Sequence, residues 1–196
     1  MANPPLQRAK PRPRLLRWIA VAILALIVIV GLAVLIIWLA IKPKRLVYTV
    51  EEGFIQNFNL TNNHLNATFD IVMRAYNPNT KVSIYYDSVE VSVTYDDQTV
   101  AFTGVEPFFQ PHLNVTRLEV KPVAQYLPLK GSMAKDLGLE KSSGEVELAV
   151  YLKARIRFKV GDWKSKDRTL RVACDPVLAH FSSSKKFERT FCDVDL

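Results

Sequence analysis

Twenty-four consecutive residues, Trp18 to Ile41, carry no charge and no strong hydrogen-bonding side chain; Arg17 precedes them, and Lys42, Lys44 and Arg45 follow. At about 1.5 Å rise per residue the run is long enough to cross a hydrocarbon core of ~30 Å as a helix with some tilt. Inside a bilayer only a helix or a closed barrel satisfies its own backbone. The Ile, Leu and Val residues, with Gly31 tolerated, therefore read as one membrane-spanning helix. Trp18 and Trp38 fall near its two ends, where interfacial aromatics sit. The stretch exceeds the roughly 7 to 15 residues of a signal-peptide core. The small-residue cleavage pattern is also missing from Trp38-Leu39-Ala40-Ile41-Lys42, so the segment reads as an uncleaved signal anchor. The competing reading, a core helix of a soluble domain, needs a much larger protein around it.

Flanking charge points to the side on which each end lies. Residues 1–17 form a basic, proline-rich tail with Arg8, Lys10, Arg12, Arg14 and Arg17 and no acidic residue, five cations against the three that follow the helix. That bias favours a cytoplasmic N-terminus. Such a tail cannot bury a core, and its cations would lie against anionic inner-leaflet lipid. The sequons at Asn59, Asn66 and Asn114 all lie beyond the helix, none with proline in the middle position. So do the chain's two cysteines, Cys174 and Cys192. An oxidising compartment favours a disulfide between them, and two buried free thiols are the alternative. Together these features place residues 46–196 on the lumenal or extracellular side of the membrane. The terminal Asp193-Val194-Asp195-Leu196 carries no hydrophobic lipid-anchor signal.

The net charge of +7 invites a nucleic-acid reading that its distribution removes. Residues 1–45 hold 8 of the 26 basic residues and none of the 19 acidic ones, which leaves residues 46–196 with 18 basic against 19 acidic. The basicity belongs to the membrane flanks, and the remainder has the size of one ordinary domain.

That domain reads as antiparallel strands. From Glu145 to Val160 the even positions are Val146, Leu148, Val150, Leu152, Ala154, Ile156, Phe158 and Val160, while most odd positions are charged. Period two over such a length is a half-buried strand, long enough for a bend or bulge to be expected within it. The same alternation runs through Leu65–Tyr76 and Val89–Tyr95, the latter followed by a turn at Asp96-Asp97. Gly161-Asp162 ends the long strand before Leu170, Val172 and Cys174, Phe187–Val194 supplies a last strand, and Ser132–Leu139 reads as a helix ending near Gly138. Strands separated by turns, with one short helix, predict a β-sandwich.

Three segments carry a family resemblance. Asn77-Pro78-Asn79-Thr80-Lys81-Val82-Ser83-Ile84-Tyr85-Tyr86-Asp87, then Pro107-Phe108-Phe109-Gln110, then Leu152–Gly161 resemble ordered motifs of the membrane-anchored, harpin-induced-like branch of the second late embryogenesis abundant group. That plant family carries the water stress and hypersensitive response domain. The resemblance covers residues 18–196 and implies an immunoglobulin- or fibronectin-like sandwich outside the plasma membrane. It also implies a part in pathogen defence and abiotic stress without enzymatic activity. Phe109 stands where relatives commonly have Tyr, and Pro111 where many have Gly.

Candidate sites follow. Asn77-Pro78-Asn79 reads as a turn, since proline fixes φ and asparagine tolerates left-handed geometry. Tyr85 and Tyr86 point to opposite faces of a strand. Phe108 and Phe109 either cap the sandwich or present an aromatic loop to lipid or protein. Lys153, Arg155, Arg157 and Lys159 repeat every second residue and stand in one row. Two readings are open for that row: a solvated strand face that resists edge pairing, or a surface for anionic lipid, acidic cell-wall polysaccharide or another membrane protein. His64, His112 and His180 lack metal-like spacing, and no phosphate loop or nucleophile elbow is present. No cofactor, metal or catalytic set is expected. An interaction module is the leading reading, and a tethered lipid-binding or lipid-transfer domain, with an acyl chain held between its sheets, is the alternative.

Overall fold

The computed structural model describes residues 14–41, 44–182 and 185–196. Positions 1–13 of the basic tail and the flanking Lys42 lie outside the described residues. The chain divides into two compact units, Met1–Lys42 and Pro43–Leu196. The first contributes α1, Arg14–Ile41, a helix of 28 residues and so about 42 Å long. It begins ahead of Trp18 because Arg and Leu are themselves good helix formers. Between Leu16 and Ile36 none of it is buried, which removes the core-helix reading. By length and composition α1 is able to cross a membrane.

The second unit contains β1 (Val47–Thr61), β2 (His64–Asn77), β3 (Ser83–Tyr95), β4 (Gln98–Val105), β5 (Phe108–Gln110), β6 (Asn114–Val120) and β7 (Val123–Pro128). After these come α2 (Gly131–Ser143), β8 (Glu145–Val160), β9 (Trp163–Lys164), β10 (Arg168–His180) and β11 (Thr190–Asp195). Hydrogen-bonded neighbours follow the order β4-β3-β8-β10-β11-β1-β2-β6, with β5 on β3, β7 on β2 and β9 on β8. The path folds back on itself. Tyr48 in β1 and Tyr86 in β3 are not on neighbouring strands, yet their hydroxyls meet at 2.6 Å. Gln98 at the start of β4 donates to the Pro128 carbonyl at the end of β7. The result is a two-layer antiparallel sandwich around a single apolar cluster.

The two layers are not separate sheets. β1 and β10 meet directly in one parallel bridge, Phe54–His180, and β11 joins the layers further along: its Asp193–Asp195 pair with β10 and its Thr190–Cys192 with β1. This last strand starts at Thr190 rather than Phe187.

Alternation decides which faces meet. In β8, Val146, Leu148, Val150, Leu152, Ala154 and Ile156 are all buried. In β2, Leu65, Ala67, Phe69, Ile71, Met73 and Ala75 face them across the core. The irregularity expected in β8 occurs instead in its partners. β3 carries one extra residue, Asp87, between the pairs Tyr86–Ile156 and Ser88–Arg155, and β10 slips at Asp175-Pro176. Bulges on both neighbours curve the sheet while β8 keeps its period. Asp96 and Asp97 both have positive φ, as a two-residue hairpin turn requires, and so do Asn62 and Asn63 between β1 and β2. α2 runs past Gly138 to Ser143, because an interior glycine costs only about 1 kcal/mol; Gly144, at φ 85°, supplies the left-handed cap.

Candidate functional site

The segments that carry the family resemblance converge inside the sandwich rather than on its surface. Asn77 and Asn79 are both buried. Neither is left-handed; the turn is closed instead by the Asn77 side chain, as an Asx-turn. Asn77 donates through Nδ2 to the carbonyls of Val82 and Pro111, at 2.8 and 3.1 Å. Its Oδ1 accepts from the backbone and side-chain amides of Asn79. Asn79 in turn holds Lys44 from both sides: its Oδ1 accepts the Lys44 N–H at 2.7 Å and its Nδ2 donates to the Lys44 carbonyl at 3.0 Å. A side-chain amide here does the work of a neighbouring strand for the first described residue of the domain.

Beside it lies a second buried set. The Tyr86 hydroxyl donates to Gln110 Oε1 at 3.2 Å and meets the Tyr48 hydroxyl. Gln110 Nε2 donates to the carbonyls of Ala75 and Asn114. Burial pushes the Tyr86 phenol up to about 12 and raises Tyr48 as well. Both hydroxyls are thus neutral donors and acceptors that tie β1, β2, β3 and β5 together. Sequence reasoning missed Gln110 and Tyr48. The pattern marks Gln110 as polar but says nothing of which distant carbonyls it reaches.

The outer face of the same strands holds the remaining candidates. Phe108 is half-buried and stacks on Tyr86, whereas Phe109 faces outward against Tyr85 at 4.7 Å. Arg157 is bidentate to Asp87, at 2.6 and 2.7 Å, a pairing made possible by the extra residue in β3. That hydrogen bond holds the Asp87 carboxyl below the usual carboxylate range. Lys164 and Arg157 lie over the Tyr85 ring, and Lys159 over Phe109. The basic row is therefore divided. Arg157 and Lys159 are engaged at the β3–β5 end, while Lys153 and Arg155 are exposed.

Across the strands a different row forms. Register pairs Glu90 with Lys153, Lys153 with Arg171, and Arg171 with Asp195, from β3 through β8 and β10 to β11. These side chains line a groove of about 530 Å³. Only Lys153 of this set was legible as a candidate, since a period along one strand carries no information about its neighbours.

Cys174 and Cys192 form a disulfide with Cα atoms 4.2 Å apart. Asn59 and Asn114 are exposed, and Asn66 is half-buried with its Oδ1 accepting the Tyr126 N–H at 2.9 Å. The histidines are scattered. His64 stacks on Tyr126 and His112 is exposed. His180 is buried, 3.8 Å from Glu145.

Comparison with known proteins adds the lineage of this arrangement. The family profile described as late embryogenesis abundant protein, LEA_2, matches residues 72–175. An uncharacterized protein of Arabidopsis thaliana is 41% identical over 182 residues, which cover 91% of this chain and 82% of that protein. NDR1/HIN1-like protein 3 of the same plant is 33% identical over 179 residues, 88% of this chain and 78% of its own. A crystal structure of a protein from Archaeoglobus fulgidus matches 63% of this chain and 93% of that one at 13% identity, with a TM-score of 0.31, too low to carry weight.

Proposed function

The chain belongs to the late embryogenesis abundant family LEA_2, in its NDR1/HIN1-like, harpin-induced-like branch, and from that premise we propose that it is a single-pass protein of the plant plasma membrane. Its β-sandwich stands outside the cell and takes part in stress and defence responses through contacts with other molecules, without catalysing a reaction. The supporting observation is the joint placement of four features. An uncovered apolar helix able to cross a membrane precedes a domain that carries a disulfide and exposed sequons at Asn59 and Asn114. The more basic flank lies on the other side of the helix.

Carriage of a lipid between the layers is the weaker reading. An acyl chain needs continuous apolar space there, and Tyr48, Met73, Tyr86, Leu152 and Ile156 are fully buried in that region.

The test is protease added to intact plant cells expressing the full chain, with endoglycosidase treatment in parallel. The domain is expected to be removed from outside and to migrate faster after deglycosylation. A protected, unglycosylated domain in sealed cells would overturn the assignment.

A further inference from the structure

The row Glu90, Lys153, Arg171, Asp195 places two cations side by side with a carboxylate at each end. Register makes each a direct neighbour of the next, about 4.8 Å apart from strand to strand. Like charges directly opposite one another on adjacent strands are destabilising. Exchanging Arg171 with Asp195 would give alternating signs, so fold stability does not account for the order. Among the described residues none of the four forms an ion pair. One step along the strands a second row runs Phe102, Ser92, Tyr151, Ala173, Asp193. Phe102 is 69% exposed and Tyr151 39%. The small Ala173 leaves the floor open between Tyr151 and Asp193, and Arg45 closes the groove from the side.

This combination selects a chemistry. DNA, or a headgroup bearing phosphate alone, offers Glu90, Asp193 and Asp195 no hydroxyl to accept from, and is repelled by them. A ligand that alternates one carboxylate with several hydroxyls and an apolar ring face satisfies every group. We propose that this groove binds hexuronate saccharides, with a sugar carboxylate between Lys153 and Arg171. Ring hydroxyls donate to Glu90, Asp193 and Asp195, and the C–H face of a neighbouring ring lies on Tyr151. The volume of about 530 Å³ falls within the range of small-ligand clefts. The proposal deepens the reading of an extracellular interaction domain and rests on it, since only a domain outside the cell meets polymeric uronate.

The experiment is calorimetric titration of the full chain, in nanodiscs of zwitterionic phospholipid, with trigalacturonate, its methyl ester, inorganic phosphate and phosphatidic-acid vesicles. Saturable binding of trigalacturonate alone is expected. Lys153→Ala and Arg171→Ala each weaken it about tenfold or more, as loss of a charge-assisted hydrogen bond does. Arg155→Ala, on the same face outside the row, leaves it unchanged. Glu90→Ala separates the proposal from general anion attraction: it weakens binding if the carboxylate accepts a sugar hydroxyl, and strengthens it if only net charge matters. Circular dichroism melts verify each fold, and Arg171→Gln replaces a variant that does not fold. The proposal is overturned if the wild type binds no trigalacturonate, if the Lys153 and Arg171 variants bind as well as wild type, if Glu90→Ala binds more tightly, or if the ester, phosphate or vesicles bind equally. The titration is indifferent to membrane sidedness, so its failure and a failure of the protease test are separate results.

Discussion

At the scale of single residues, Tyr86 joins a family motif to the core. Its hydroxyl connects Tyr48 to Gln110, and its ring carries Phe108. Tyr86→Phe keeps the stack but leaves two buried polar groups short of a partner, a loss of about 1–3 kcal/mol. The melting temperature should fall by about 2–4 °C per kcal/mol for a domain of this size, and an unchanged melt would remove the network from the stability account. A pH dependence follows from the same phenols. A free tyrosine titrates near 10, whereas burial raises Tyr86 to about 12 and Tyr48 in the same direction. A folded-state pKa above the unfolded one gives stability that is complete below pH ~10 and is lost as pH rises toward 12. Denaturant melts between pH 9 and 11 should show this decline, and the double variant Tyr48→Phe/Tyr86→Phe should show a flatter one.

At the scale of elements, β11 and β3 carry the unusual features. β11 changes partner between Cys192 and Asp193, and Cys192 is bonded to Cys174 at that crossing. The disulfide thus fastens the two layers where β11 passes from one to the other. With the cysteines 18 positions apart in sequence, the chain-entropy model gives about 3 kcal/mol. Cys192→Ala should lower the melting temperature in oxidising buffer, with wild type and variant converging under reductant. In β3 the extra residue Asp87 faces Arg157. Because that contact lowers the Asp87 pKa, its contribution is present above about pH 4 and is lost as pH falls through the folded value. Asp87→Asn should therefore be less stable than wild type at pH 7 and match it near pH 2; a constant gap over that range would exclude the ion pair as the cause.

At the scale of the whole molecule, the helix and the sandwich are separate compact units, which predicts that residues 44–196, made in an oxidising compartment, fold without α1. A cooperative melt with a β-type circular dichroism spectrum is the expected result, and aggregated or non-cooperative material would contradict it. What the sequence determined by itself is whatever depends on local period and composition. The apolar run forms one helix; β8 and β2 alternate over 12 or more residues and β3 over Val89–Tyr95; Asp96-Asp97 makes the hairpin. β1 was not legible because bulges near Glu51 and Asn57 break its period and because Tyr48, Thr49 and Val50 are buried in succession, covered on both faces. Only tertiary structure decided that Asn79 holds Lys44, that Gln110 reaches Ala75, and that β10 lies between β8 and β11. Those contacts span 35 residues or join strands whose order no local pattern records. The charge row is of the same kind: Glu90, Lys153, Arg171 and Asp195 sit on four separate strands, and register alone makes them neighbours.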